Sequence, residues 1–112
     1  MQKNTENHAG ERYVPTFNER ADFALTVRGN KLAPFIKDGD VVLIEKGTDF
    51  LDGDFAVVEL HEEYTLSMAY HYNGGLLLDN FSCDYPQMVF SQEELQDGTV
   101  AVRGLLVGFL RP

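Results

Sequence analysis

The chain has 112 residues, 44% hydrophobic and 24% charged, enough for one domain that buries about 65% of the surface its unfolded form exposes. Eighteen acidic residues against nine basic ones leave a net charge of −9, which argues against direct nucleic-acid binding, because a surface that grips phosphates needs the opposite sign. The single cysteine, Cys83, excludes an internal disulfide and fits a reducing cytoplasm. No apolar run approaches the ~20 residues that span a membrane, and Met1–Glu11 is polar and unlike a signal peptide.

Residues 1–20 are polar, carry no sustained periodicity and contain Pro15. They are expected to form an arm or linker ahead of a folded domain spanning 21–112. Phe23, Leu25 and Val27 alternate with Ala24, Thr26 and Arg28, the pattern of a half-buried strand. Gly29 to Asp40 then forms a connection of enforced shape, with a glycine, a proline turn and an Asp38-Gly39-Asp40 corner. Val41 to Ile44 is a short apolar run that reads as a strand, and so is Phe55 to Leu60, entered through a second corner at Asp52-Gly53-Asp54. Both corners read as turn chemistry, with glycine supplying positive φ and aspartate bonding to local backbone. Their acids lack the regular close spacing of a calcium loop.

Glu63 to Tyr70 alternates again, and Asn73-Gly74-Gly75 predicts a tight hairpin returning into Leu76-Leu77-Leu78. Pro86 to Phe90 reads as an edge strand. Ser91-Gln92-Glu93-Glu94 fits a capping box opening one or two helical turns, ended by Asp97-Gly98. Thr99 to Leu110 is a long strand whose Gly104 and Gly108 predict bulges or bends. Short strands with Gly-rich turns predict a mainly β barrel or sandwich. The aromatic residues Phe23, Phe35, Phe50, Phe55, Tyr64 and Tyr70 are expected in core and inter-sheet packing, since a base-stacking platform would want basic neighbours. Cys83 has no second cysteine or histidine at metal-ligand spacing and reads as a free thiol; no metal or cofactor is expected.

Several stretches in order resemble the self-cleaving serine peptidases that form the C-terminal halves of LexA-type repressors. Gly29-Asn30-Lys31-Leu32-Ala33-Pro34-Phe35-Ile36-Lys37-Asp38-Gly39-Asp40 is similar to that family's Gly-Asp-Ser-Met-x-Pro-x-Ile-x-Asp-Gly-Asp. Ala21 to Gly29 resembles the strand before the nucleophile, and Asp52-Gly53-Asp54 falls where the family places a second corner. Tyr64 to Tyr70 resembles the strand that carries the catalytic lysine. Leu76 to Pro86, with Asn80 and Tyr85, is a slightly stretched version of Leu-x-x-x-Asn-x-x-Tyr-x-Pro, and Val102 to Phe109 resembles the closing strand. The resemblance covers Ala21 to Arg111. It implies a LexA/signal-peptidase-like fold: several coiled antiparallel sheets forming a small barrel-like domain, with at most one short helix.

The same resemblance puts the activity in doubt. Family members use a serine activated by a lysine whose pKa burial lowers. Here the serine position holds Lys31 and the lysine position holds Ser67, while the flanking Asp and Met are replaced by Asn30 and Leu32. An amine at position 31 cannot form the acyl ester, and no histidine rescues the site by spacing. A swapped dyad, with Ser67 attacking and Lys31 as base, has the right residue types but the wrong geometry, since the oxyanion donors and groove were built around position 31. The better expectation is an inactive site in which Lys31 is a partly exposed turn residue, hydrogen-bonded to Ser67. Ala9-Gly10 in the arm matches the dipeptide that LexA-like proteins cut and is expected to be a vestige or a coincidence.

The resemblance therefore implies a non-catalytic regulatory domain of a bacterial or phage helix-turn-helix repressor, cytoplasmic and dimerising through edge strands near its C-terminus. DNA would be reached only through a separate helix-turn-helix domain, a pattern these residues lack. The alternatives are a self-cleaving peptidase with the swapped Ser67/Lys31 dyad, and a stand-alone UmuD-like interaction subunit that attaches to a DNA polymerase.

Overall fold

The computed structural model describes residues 20–82 and 84–111; Ala9-Gly10, most of the arm, and Cys83 lie outside the described residues. Seven strands appear in it: β1 (Phe23–Thr26), β2 (Val41–Lys46), β3 (Asp54–Leu60), β4 (Glu63–Tyr72), β5 (Gly75–Asp79), β6 (Met88–Phe90) and β7 (Val100–Leu110). They join into one antiparallel sheet in the order β1-β2-β7-β3-β4-β5-β6. One short helix, α1 (Gln92–Gln96), lies between β6 and β7. Among the described residues the architecture is mainly β with one short helix, as expected, and the strands are hydrogen-bonded into a single continuous sheet.

Two apolar clusters occupy the two faces of this sheet. Ala56 and Val58 of β3 join Phe50, Ala69, Leu76, Leu78, Phe90, Val100 and Val102 in one. Val57, between them on β3, joins Leu32, Ile36, Val42 and Ile44 in the other. Side chains alternate across a strand, so a strand covered on both sides must be apolar at every position. That is why Phe55–Leu60 reads as a continuous run rather than an alternation.

The turns form where their residues demand. Tyr72 pairs with Gly75 across Asn73-Gly74, whose φ values of 51° and 79° are those of a hairpin turn with both central residues left-handed. Ser91 caps α1: its hydroxyl accepts from the Glu94 amide while the Glu94 carboxylate accepts from the Ser91 amide, the reciprocal pair the sequence predicts. Along β7 the register slips twice. Val107 is the extra residue against β2 and Arg103 the extra residue against β3, each beside one of the two glycines. A Cβ on Gly104 would stand 2.4 Å from the Ile44 Cγ2 and 3.1 Å from the Glu45 carbonyl oxygen, so the bulge brings β7 too close to β2 for any side chain there.

The aromatic expectation needs correction. Phe50 is buried and Phe23 and Phe55 pack against the second cluster, but Phe35 and Tyr64 are 58% and 61% exposed. Phe35 stands outside the core against Phe81, ring centroids 4.8 Å apart, and Tyr64 sits at the mouth of a groove.

Candidate functional site

The connection between β1 and β2 builds the site. Gly29, at φ 90°, donates its amide to Asp38 Oδ1 at 2.7 Å, and Gly39, also at φ 90°, donates to the Val27 carbonyl. Between these ties the chain coils tightly, with Ala33, Phe35 and Ile36 amides returning to the carbonyls of Asn30 and Leu32 and a cis bond at Ala33-Pro34. Leu32 and Ile36 are 2% exposed and anchor the turn in the second cluster. Asp40 then accepts from the Lys37 amide at 2.8 Å, and Asp54 repeats the bond three residues back to Leu51 at 2.9 Å. The two Asp-Gly-Asp corners are thus the same turn used twice.

A further clamp was not legible in the sequence. Arg111 reaches back with Nε 3.0 Å from Asp40 Oδ1, Nη2 2.8 Å from Asp40 Oδ2, and Nη2 3.0 Å from the Phe35 carbonyl. This fork pairing holds the end of β7 to the turn. The guanidinium donation, helped by the Lys37 amide, keeps the Asp40 carboxyl below the usual carboxylate range against the opposing effect of burial.

Held this way, Lys31 projects from the turn into a groove of about 230 Å³ lined by Leu25–Gly29, Leu32, Val42 and Tyr64–Leu66. Its ammonium donates to Thr65 Oγ1 and lies 5.9 Å from the centre of the Tyr85 ring. Its carbonyl accepts from the Phe81 and Ser82 amides, which docks the β5–β6 connection onto the turn. The side chain is half-buried, and loss of water lowers its pKa below the ordinary lysine value.

Ser67 is 2% exposed, and its hydroxyl donates to the Asp79 carbonyl at 2.7 Å. The expected Lys31–Ser67 hydrogen bond is therefore replaced by two separate ones, Lys31 to Thr65 and Ser67 to β5 backbone. Thr65 and Ser67 stand on one face of β4, one strand repeat or about 6.7 Å apart. The period-2 pattern of β4 carried the signal for Thr65, but choosing between the two hydroxyls needed the three-dimensional register. Chemically the Lys31 amine and the Ser67 hydroxyl share no hydrogen bond, and the proton of Ser67 is directed away from that amine.

A sequence profile of the Peptidase S24-like family matches residues 2–107. This chain belongs to that family. It is 38% identical over 107 residues to the LexA repressor of Halorhodospira halophila (strain DSM 244 / SL1), an alignment covering 90% of this chain and 46% of the relative. It is 27% identical over 111 residues to the LexA repressors of Burkholderia mallei (strain NCTC 10229) and Burkholderia pseudomallei (strain 668), covering 96% of this chain and 50% of theirs. The chain thus spans about half the length of the curated relatives it matches. Among the described residues, no helix is long and apolar enough to cross a membrane.

Proposed function

We propose that this S24-like chain is a cytoplasmic regulatory and dimerisation domain of a bacterial or phage (prophage) helix-turn-helix repressor, with the peptidase dyad lost. One observation carries this reading: the amine at position 31 is bonded to Thr65 while the Ser67 hydroxyl is spent on the Asp79 carbonyl. A serine–lysine dyad works only when hydroxyl and amine share a proton along one hydrogen bond. DNA would be reached through a separate helix-turn-helix domain, in keeping with the charge of −9 on these residues. Residues 1–20 would serve as the linker and residues 21–112 as the domain proper, with Ala9-Gly10 a vestige of a cleavage bond.

Dimerisation has its own support. The pairing of β7 with β3 ends at Leu105–Ala56, while its pairing with β2 continues to Leu110. Leu106–Leu110 therefore keeps one strand edge without a partner strand among the described residues, and its side chains are only half-buried. An apolar edge of this kind is suited to pairing with a second copy.

The test of the lost activity is prolonged incubation of the purified chain at alkaline pH, where any basic amine is neutral, followed by intact-mass measurement. An unchanged mass is expected. A product beginning at Gly10 would overturn the reading and favour the swapped Ser67/Lys31 dyad.

A further inference from the structure

The end of β4, β5 and β6 form a wing whose two faces differ. Ala69, Leu76, Leu78 and Phe90 point to one face and are buried in the first cluster, where Leu95 of α1 also packs. Their neighbours point to the other face, because side chains alternate along each strand. Tyr70 lies opposite Leu77, and Leu77 opposite Val89, so these three side chains form one row across the wing. Val89 is 56% exposed, Tyr72 one repeat further along β4 is 47% exposed, and Tyr70 and Leu77 are partly exposed.

Over β2, β7 and β3 the same face is closed by Leu32 and Ile36 of the turn that bears Lys31. That cover ends at Phe55, which pairs with Met68 and meets Phe81 edge-on, ring centroids 6.4 Å apart. Beyond Phe81, no helix or strand of the described residues stands over the row. An apolar sheet face is completed by a second layer, most simply a helix. The uncovered strip has the width for one: β4 to β6 is two interstrand spacings, about 9.5 Å, and an α-helix with its side chains is about 10–12 Å across.

The charge on this part of the chain is one-sided. Between Gly47 and Val102 there are eleven Asp and Glu residues and no Lys or Arg, and all nine basic residues of the chain lie outside that stretch. Of those carboxylates only Asp52 and Glu59 take part in ion pairs among the described residues, with His71 and Arg103. Two groups of acids border the row. Asp79 stands opposite Met68 on the same face, and a Cβ on Gly53, within the Asp52-Gly53-Asp54 corner, would stand 4.0 Å from the Tyr70 ring. Such a field repels polyanions, so neither nucleic acid nor an anionic membrane fits this face.

We propose that the Tyr70–Leu77–Val89 row is the docking face for a basic amphipathic α-helix of a protein partner, which lays its apolar stripe on the row and its Lys and Arg residues against the surrounding carboxylates. The occupant is basic because the charge around the row is acidic, and helical because the uncovered strip is one helix wide. Leu77 and Val89 would take its aliphatic side chains, and the rings of Tyr70 and Tyr72 would also accept the face of a guanidinium or ammonium group. The face shares no residue with the Lys31 groove and does not depend on the state of that site.

The experiment titrates the full isotope-labelled chain at neutral pH with a capped peptide of repeated Leu-Ala-Lys-Lys units, about 16 residues long so that it can form a helix. Two controls are a scrambled peptide of the same composition without an apolar face, and a Leu-Ala-Glu-Glu counterpart. Amide resonances of Tyr70, Tyr72, Leu77 and Val89 should move, and the ordered basic peptide should bind at least about tenfold more tightly than its scrambled form, the scale of burying one apolar side chain. The Glu counterpart should not bind. Val89→Thr combined with Tyr72→Ser changes only exposed side chains, so the fold is kept, and should weaken binding about tenfold while leaving its salt dependence in place. Equal affinity for ordered and scrambled peptides, binding of the Glu counterpart, or no shift at millimolar peptide would each overturn the proposal. So would shifts that follow the carboxylates but leave the row unmoved, or undiminished affinity in the double variant. Concentration-dependent shifts of the row in the peptide-free chain, abolished by the double variant, would also overturn it, since the wing would then be covered by a second copy.

Discussion

Lys31 enters the folded state at a cost, because burial removes water from its ammonium and Thr65 returns only one neutral hydrogen bond. Its pKa is lower folded than unfolded, so between those two values the unfolded chain holds more protons and stability rises with pH. At neutral pH the whole penalty is present; it disappears as pH climbs through the folded pKa toward the ordinary value of 10.5. Lys31→Met, which keeps the stem and removes the charge, should therefore raise the urea midpoint at pH 7, with the gain shrinking steadily toward pH ~10.5. A gain that stays constant across that range, or a loss at pH 7, would show that the site compensates the charge. Thr65→Val should cost about 1 kcal/mol in the parent chain and close to nothing in Lys31→Met, a coupling that a double-mutant cycle of urea midpoints measures.

At the scale of elements, the Asp40–Arg111 pair decides whether the Lys31 turn and the end of β7 behave as one unit. Asp40 is 1% exposed and bound through both oxygens, so removing Arg111 leaves a buried carboxylate with only the Lys37 amide. Arg111→Met should lower the melting temperature by about 5–10 °C at pH 7. Because the folded Asp40 pKa is depressed, its contribution is present above the ordinary carboxyl value of 3.8 and is lost as pH falls through the folded pKa. The gap between parent and Arg111→Met should accordingly close in acid; an equal gap at pH 7 and at pH ~2 would mean that packing, not charge, joins the two elements. This clamp also marks what the sequence could reveal. The Asp-Gly-Asp corners, the Asn73-Gly74 hairpin, the Ser91 cap and the glycine-linked bulges are local, set by residues within four positions of one another, and all were legible. The partners of Lys31 and Arg111 lie 34 and 71 residues away, and nothing in local chemistry says which hydroxyl or carboxylate the folded register will bring near. Phe35 and Tyr64 were misread for the same reason, since an aromatic on a strand or turn does not reveal whether a second layer stands over it.

At the scale of the whole molecule, four stretches of strand edge are left open among the described residues: β1, the first half of β4, β6 and the last five residues of β7. Any self-association must choose among them. β1 and the first half of β4 border the groove, and pairing at either would fill the space that holds Lys31. β6 spans three residues and offers only Met88 and Val89 as exposed apolar side chains. The Leu106–Leu110 edge is longer, apolar throughout, and part of β7, which runs inside the sheet between β2 and β3, so a two-fold pairing there would extend the sheet of each copy into the other. Val107 lies within this edge and, as the bulge residue, has no partner on β2. Val107→Asp would bring two carboxylates together near such an axis and should convert the proposed dimer to a monomer in sedimentation equilibrium, with the circular-dichroism spectrum unchanged. Val89→Asp should leave the dimer intact. Two copies each carrying −9 repel one another, so dimerisation through an apolar edge should strengthen as salt rises, opposite to the weakening expected of a phosphate-binding contact. A dimer that dissociates in salt, or that survives Val107→Asp and breaks with Val89→Asp, would move the interface to β6 and leave the closing strand with a purely internal role.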